Sequence, residues 1–234
     1  MTNELYRGDL SNVAKVYTAN GYSKVAQDKT ELESLQSLYV KKQVTKDNIL
    51  ARTVTQSSDY AYVVVKKDDR IDMGYLAFLI NSFPWKMFLG DGNKVVEGVY
   101  APTSLGALKK SPAIILSKKE QEACAFLNDF LTGMYDDSEK NELIKKAYRY
   151  LTEVRDFIAL EILLGGILSN EDISVLTAWI EKKSAYDSNQ NRNEAELLLL
   201  KSFFSSNNDL RNRMNKMRMY IDENEDVIIN KFHK

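Results

Sequence analysis

Proline placement divides this chain into two halves of different character. All three prolines, Pro84, Pro102 and Pro112, precede residue 118. Because proline removes a backbone donor and breaks helices, the proline-free second half is able to form long helices. The first half instead carries short runs of β-branched and aromatic residues between polar turns, which is typical of strands. We therefore expect an α+β protein with a sheet-containing first domain, 1–117, and a helical region, 118–234.

The first half is predicted to form a mixed sheet with short helices. The predicted strands are 12–18, 36–44, 48–54, 60–66, 94–100 and 113–116, and Asn20-Gly21 is read as a turn. A short helix is predicted from Asp72, the N-cap, to Phe83, with Pro84 ending it. Thr103 or Ser104 is expected to cap a helical turn that runs to Lys110.

The second half has helical spacing of its apolar residues. Ser117 and Glu120 have the capping-box spacing, and a long helix is predicted from Ser138 to the Gly165-Gly166 pair. Further helices are expected from Ser169 to Lys183 and over 193–204. Leu210, Met214, Met217, Ile221 and Ile228 form a short heptad seam. The apolar faces of 138–164 and of this seam predict either a homodimer or internal packing as a helical bundle.

Two residue counts exclude several kinds of chemistry. Cys124 is the single cysteine, which excludes an internal disulfide framework and a cysteine-rich zinc site. His233 is the single histidine and lies near the end of the sequence, which excludes an internal Ser-His-Asp triad, a Cys-His pair and a histidine-rich metal cage. We expect a buried, inert thiol, no resident metal or cofactor, and no catalysis by the chain itself.

Other motifs favour ordinary structure over a site. Gly90-Asp91-Gly92 is more typical of a tight turn than of a phosphate-binding loop. The acidic pairs Asp68-Asp69 and Asp136-Asp137 are expected in solvated turns or helix ends, because adjacent side chains seldom share a metal. A nuclease centre built from Asp47 or Asp59 with Glu97 and Lys66 is possible in composition, but no spacing singles it out.

The basic residues of the first half are the candidate binding residues. Residues 1–117 hold 15 Lys and Arg against 12 Asp and Glu, and the rest holds 17 against 21, so the first half is the better candidate for binding a polyanion. Tyr39, Tyr60 and Tyr62 are interleaved with the cations. Lys and Arg contact phosphates, and Gln reads base edges. The predicted DNA-binding residues are Lys41, Lys42, Gln43, Lys46, Arg52, Lys66, Lys67, Arg70, Lys86 and Lys94.

A longer stretch resembles a known family. "DYAYVVVKKDDRIDMGYLAFLINS" (59–82) and "GDGNKVVEGVYAPTSLGALKKSPAIILSKKEQ" (90–121) are similar to the second half of a target recognition domain from the DNA-specificity (S) subunits of type I restriction-modification systems. The motif residues are Tyr75-Leu76, Leu79, Asn81-Ser82, Leu105, Leu108 to Pro112, Ile114 and Glu120-Gln121. They are expected to be fold positions, whereas base-reading positions differ between members of that family.

The resemblance implies a half-length specificity subunit with one recognition domain. Such a protein binds double-stranded DNA sequence-specifically and leaves catalysis to a methyltransferase subunit, and a second copy paired through the C-terminal helices would complete a two-part site. A second hypothesis is a recognition-domain relative that has lost DNA binding and acts as a protein-interaction module, for instance in phage defence. The sequence has no apolar signal core or membrane span, which predicts a cytoplasmic protein.

Overall fold

The computed structural model is an α+β structure with two compact units, residues 1–136 and 137–234. It describes residues 6–27, 37–45, 49–53, 60–89, 102–137, 141–165, 173–205 and 208–224. The first unit extends beyond the predicted boundary at residue 117. The helix that follows Ser117 is joined to this unit by side-chain hydrogen bonds, from Gln121 to Arg70 and Asp72 and between Asn128 and Asn81.

The first unit contains strands and helices in alternation. In chain order its elements are β1 (Tyr6–Asp9), α1 (Leu10–Val13), β2 (Ala14–Thr18), α2 (Ala19–Gln27), β3 (Ser37–Lys41), β4 (Ala51–Arg52), β5 (Tyr60–Lys66), α3 (Met73–Asn81), α4 (Phe83–Leu89), α5 (Leu105–Lys110), β6 (Pro112–Ile115) and α6 (Lys118–Asp137). The predicted strand 94–100 and the turn at Gly90 lie outside the described residues.

The described strands form two antiparallel sheets. One has the order β2-β5-β3-β4, and the other pairs β1 with β6. Each of the four strand pairs, β1 with β6, β2 with β5, β3 with β5 and β3 with β4, is antiparallel, so no described strands pair in parallel. The predicted mixed sheet is therefore wrong for these strands.

One face of the four-stranded sheet forms the main core. Val16, Leu38, Val40 and Val64 alternate with residues that point to the opposite face, and all four are buried. Helix α3 packs near β3 and β4, and every one of its residues from Tyr75 to Asn81 is buried. A helix that is apolar around its whole circumference requires cover on all sides, which explains its central position.

Helix α3 confirms the predicted N-cap at Asp72, whose carboxylate accepts a hydrogen bond from Tyr75 N at 2.8 Å. Pro84 does not end α3, whose last residue is Asn81. This proline lies in the first turn of α4, where a missing N–H leaves no helical hydrogen bond unmade.

The turn predicted at Asn20-Gly21 is also wrong. Thr18 Oγ1 accepts a hydrogen bond from Gly21 N at 3.1 Å, and this side chain caps α2 as β2 ends. Strand β2 is shorter than predicted, because residues 10–13 form the single turn α1.

The second unit is helical in its described residues. Its elements are α7 (Glu142–Leu164), α8 (Val175–Asp187), α9 (Arg192–Phe203) and α10 (Asp209–Glu223). The predicted helix start at Ser138 lies outside the described residues, and α7 begins instead after Asn141, whose side chain accepts hydrogen bonds from Leu143 N and Ile144 N. Gly165 ends α7 with a positive φ of 47°, which glycine adopts more readily than other residues, as the sequence predicts.

Helix α8 begins at Val175, later than predicted, with Ser174 as its N-cap, and Ser169 and Asp172 lie outside the described residues. The two apolar faces considered for dimerisation are mostly buried within the chain, and Leu143, near the start of α7, is the exposed member at 58%. On α7, Leu151, Val154 and Ile158 are 0% exposed, and on α10 Leu210, Met214 and Met217 are 0–1% exposed. Helix α10 contacts α7 and α8, so the described part of the seam packs internally as a helical bundle.

Candidate nucleic-acid interface

The predicted DNA-binding residues divide between opposite ends of the four-stranded sheet. Strands β3 and β5 are antiparallel, and Lys41 lies opposite Tyr60 at the start of β5. Lys66 is six residues further along β5, about 20 Å away at the usual strand rise. We call Lys41, Lys42, Gln43 and Arg52 the β3 end, and Lys66, Lys67 and Arg70 the β5 end.

Backbone hydrogen bonds fix the β3 end in place. Lys41 N donates to Leu50 O, and Lys42 O accepts from Thr103 N, both at 2.9 Å. Lys42 and Gln43 are exposed and Lys41 is half-buried. No carboxylate among the described residues lies within ion-pair distance of Lys41 or Lys42. Both ammonium groups therefore contribute net positive charge to this surface.

An aromatic cluster lies beside the β3 end. Tyr17, Tyr22, Tyr39 and Tyr60, which we call the tyrosine cluster, pack against Val63 and Val65 on the sheet face opposite the main core. The Tyr39 and Tyr60 rings meet edge to face at 4.8 Å. Arg52 pairs with Tyr39 across β3 and β4, so the two side chains share a face.

The four tyrosines are partly exposed. Burial raises the pKa of Tyr39 above its ordinary value of 10.0, and its neighbours Tyr22 and Tyr60 act in the same direction. The phenol therefore keeps its proton at physiological pH. Sequence reasoning identified Tyr39 and Tyr60 but missed Tyr17 and Tyr22. In β2, Lys15 and Tyr17 alternate with the buried residues Ala14 and Val16. This alternation in the sequence indicates that Tyr17 lies on the face opposite the main core. Tyr62, also identified, is buried, and its hydroxyl donates to Thr103 O at 2.8 Å.

The cations of the β5 end have acidic partners close by. Lys66 Nζ lies 3.6 Å from an Asp69 carboxylate oxygen, and Arg70 Nη2 lies 2.7 Å from Asp68 Oδ2. Arg70 also donates to Asp68 through its backbone N and Nε, and these bonds lower the pKa of Asp68 to about 2. Lys67 is exposed.

These residues border a cleft of about 520 Å³ whose charges are balanced. Three cations, Lys66, Arg70 and Lys118, line it together with three carboxylates, Asp69, Asp72 and Glu122, and Lys118 Nζ lies 3.8 Å from Glu122 Oε1. Gln121 also lines the cleft, and both ends of its amide are hydrogen-bonded. Its Oε1 accepts from Asp72 N, and its Nε2 donates to Arg70 O and Leu116 O. The cleft therefore lacks the net positive charge that a phosphate backbone requires.

Lys86 cannot serve as a phosphate contact in this structure. Its side chain is 1% exposed, and Nζ donates to Thr45 O at 3.1 Å within the first unit. The predicted role of Lys86 is therefore wrong, because the tertiary fold places the amine inside the protein. Lys46 and Lys94 lie outside the described residues.

The polar motif residues hold the fold together. Asn81 Oδ1 accepts hydrogen bonds from Leu50 N and Ala51 N at 2.8 Å, and Asn81 Nδ2 donates to Ala51 O and Asn128 Oδ1 at 2.9 Å. Tyr75 donates its hydroxyl to Ile114 O at 2.8 Å. Through Asn81, helix α3 fixes β4 and so positions Arg52 at the β3 end.

The remaining predictions about chemistry concern metals, cysteine and the membrane. Among the described residues, no group of three or more His, Cys, Asp or Glu side chains is placed to hold a metal ion. Cys124 is buried in α6. The carboxylates of the alternative nuclease centre, Asp47, Asp59 and Glu97, lie outside the described residues. No described helix is both long and apolar enough to cross a bilayer.

Comparisons with known proteins add no relative to this description. The chain matches no protein-family model, no curated protein and no solved structure.

Proposed function

We propose that this protein is a non-catalytic, sequence-specific DNA-binding component of a type I restriction-modification-like system. The first unit is the recognition domain, and the β3 end contacts the phosphate backbone of duplex DNA. Any methyl transfer or cleavage belongs to a partner, of which a methyltransferase subunit is the kind that the sequence resemblance suggests. The helical unit serves docking and assembly.

The observation that carries this proposal is the difference between the two ends of the sheet. Lys41 and Lys42 have no carboxylate partner among the described residues, whereas Lys66 and Arg70 each lie beside an aspartate. Phosphate contacts dominate the affinity of DNA-binding proteins, and a cation already neutralised by a neighbour adds less to them. The β3 end is therefore the better phosphate-binding surface.

Neighbouring groups supply the means for sequence discrimination. Gln43 is exposed directly after Lys42, and a glutamine amide pairs with adenine in the major groove through two hydrogen bonds. Arg52 lies across from Tyr39 on the adjoining strand. Cations thus position the duplex while an amide and an arginine contact base edges, which is the usual division of labour at such interfaces.

A charge-reversal variant tests the proposal. Lys41→Glu/Lys42→Glu should weaken retention of a random-sequence duplex pool and of any selected site alike, because phosphate contacts carry no sequence information. If each lysine neutralises one phosphate, the slope of log K against log salt should fall in magnitude by about 1.8. Filter binding or fluorescence anisotropy across about 50–200 mM salt measures both quantities.

The matched control carries the same change in charge elsewhere in the first unit. Lys118→Glu/Lys119→Glu alters two exposed lysines in the first turn of α6, where added carboxylates suit the helix dipole. This control should bind DNA with an unchanged salt slope. Equal loss in both double variants, or no loss in the β3-end variant, would contradict the placement of the interface.

The alternative function is a protein-interaction module without DNA binding. The paired cations of the β5 end, the burial of Lys86 and the net charge of −1 favour it. Wild-type protein that retains no duplex at about 50 mM salt would support this alternative and end the first proposal, since electrostatic binding is strongest there.

A further inference from the structure

Helix α9 is apolar on two sides, and one of them faces solvent. Ala195, Leu199 and Phe203 repeat every four residues, are 0–5% exposed, and face the neighbouring helices α7 and α8. Leu197, Leu198 and Phe204, by contrast, are 50%, 51% and 46% exposed. A surface helix normally turns polar residues outward, so three large apolar side chains on the outer side require a reason.

The exposed residues form one stripe. At about 100° per residue, Leu197 and Phe204 project within about 20° of each other, and Leu198 projects about 100° from Leu197. Glu194 and Lys201 fall between them in the same sector, and both are exposed. We call Glu194, Leu197, Leu198, Lys201 and Phe204 the α9 stripe.

The order of charges along the stripe identifies an occupant. Glu194 lies toward the start of the helix and Lys201 lies toward its end, with the leucines between them. An antiparallel copy of the same helix, centred between Leu197 and Leu198, places Glu194 opposite Lys201 of the second copy at both ends. The two leucines then meet at the centre, and the helix dipoles oppose each other. A parallel copy would instead place like charges together.

The surroundings of the stripe also suit a second helix. Ala185, Tyr186, Leu198 and Leu199 border a mostly apolar cleft of about 180 Å³ between α8 and α9. This cleft lies beside Leu198, at the centre of the antiparallel pairing, and provides a recess for an apolar side chain.

We propose that the α9 stripe is a two-fold docking surface for a second copy of this chain, with the two α9 helices antiparallel. A 12-residue helix is about 18 Å long, so the contact falls below the usual size of a permanent interface. The dimer is therefore concentration-dependent, with monomer prevailing on dilution. This inference uses a surface different from the faces of α7 and α10, which are mostly buried, and does not depend on DNA binding.

Analytical ultracentrifugation of the full chain over about 1–200 µM tests the proposal, a range chosen for a weak interface. Wild type should shift from monomer to dimer, and Leu197→Glu/Leu198→Glu should remain monomeric throughout. Because both leucines are half-exposed, the variant is expected to fold, which its circular dichroism spectrum checks. The matched controls Leu143→Glu and Met219→Glu change residues that are 58% and 62% exposed on α7 and α10, and both should dimerise like wild type.

Charge exchange separates antiparallel self-pairing from general stickiness. Glu194→Lys alone and Lys201→Glu alone should each weaken the dimer, while the double variant restores opposite charges across the two-fold axis and should recover wild-type association. A wild type that stays monomeric, a dimer unaffected by the leucine variant, or a double variant weaker than either single variant overturns the proposal.

Discussion

The two units use side-chain amides in different ways. In the first unit, buried amides reach backbone groups far away in sequence: Asn81 bonds to Leu50 and Ala51, and Gln121 bonds to Arg70 and Asp72. In the second unit, the exposed amides of Asn141 and Asn191 cap their own helices by bonding to N–H groups two or three residues away. The longer-range bonds of the second unit join one helix to another: Glu161 reaches from α7 to the start of α8, and Asn208 donates to Tyr150 of α7.

The difference follows from what each kind of element leaves unpaired. A helix pairs its own backbone except at its ends, so a local cap completes it. Strand β4 has only two residues and pairs with β3 on one side, so its other backbone groups need a partner that the ladder does not supply. Asn81 supplies that partner from α3. The buried Asn81 amide therefore makes the hydrogen bonds that a further strand would make on this side of β4, the strand that carries Arg52.

Asn81→Ala should give the largest loss of stability. It leaves the buried N–H groups of Leu50 and Ala51 without a partner, at a cost of about 3 kcal/mol. Each unit contains one buried tryptophan, Trp85 in the first and Trp179 in the second, so Trp85→Phe and Trp179→Phe backgrounds report the two units separately. In urea, Asn81→Ala should lower the midpoint reported by Trp85 more than the midpoint reported by Trp179.

The local counterpart is Asn141→Ala, which removes the N-cap of α7. Its expected cost is about 1 kcal/mol, reported mainly by Trp179. If the two substitutions cost the same, or if both tryptophans report equal shifts for Asn81→Ala, the contrast between the units is wrong.

Glu161 gives a smaller, pH-dependent effect in the second unit. Its carboxylate accepts hydrogen bonds from Ser174 Oγ, Val175 N and Leu176 N at 2.5–3.0 Å. Burial raises the pKa of Glu161 above 4.5, although these bonds and Arg213 act to lower it. The folded state therefore holds the proton more tightly than the unfolded state, so stability declines as pH rises from about 4.5 through the folded pKa.

Glu161→Gln tests whether stability falls with rising pH because of Glu161. A neutral amide cannot ionise, so the stability that Trp179 reports should decline less above pH 4.5 in this variant than in wild type. Glu161→Ala is the control for the hydrogen bonds that Glu161 makes to the start of α8. It should lower the free energy of unfolding by about 2 kcal/mol, because the N–H groups of Val175 and Leu176 lose their acceptor. If the stability of wild type instead rises relative to that of Glu161→Gln as the pH increases above 4.5, the raised pKa of Glu161 is contradicted.

Sequence reasoning succeeded where the signal is local. Strand β5 has the predicted bounds, Asp72 and Ser104 cap their helices, and Ser117 and Glu120 exchange the hydrogen bonds of a capping box. It failed where a distant or unexpected partner decides the structure. Strand β1 depends on β6, which follows about 100 residues later, and Thr18 turns an apparent Asn-Gly turn into a helix.

The candidate site divides in the same way. The pairing of Lys66 with Asp69, and of Arg70 with Asp68, is readable from their proximity in sequence. The burial of Lys86 is not readable, because its acceptor Thr45 is 41 residues away. The separation of the two ends of the sheet also required the strand order, which composition cannot provide.

The smallest expected effect concerns the β5 end. Arg70 holds the pKa of Asp68 at about 2, below its ordinary 3.8, so the pair stabilises the fold above pH 3.8 and loses that contribution as pH falls toward 2. The Arg70 side chain is 65% exposed, and solvent screening limits the contribution to less than about 1 kcal/mol. In Arg70→Ala the pKa of Asp68 should return toward 3.8, as measured by NMR titration of its carboxyl carbon, while stability at neutral pH changes little. If the variant also gained DNA affinity, Asp68 and Asp69 would lie near the bound phosphates, and the assignment of the interface to the β3 end would have to extend to both ends of the sheet.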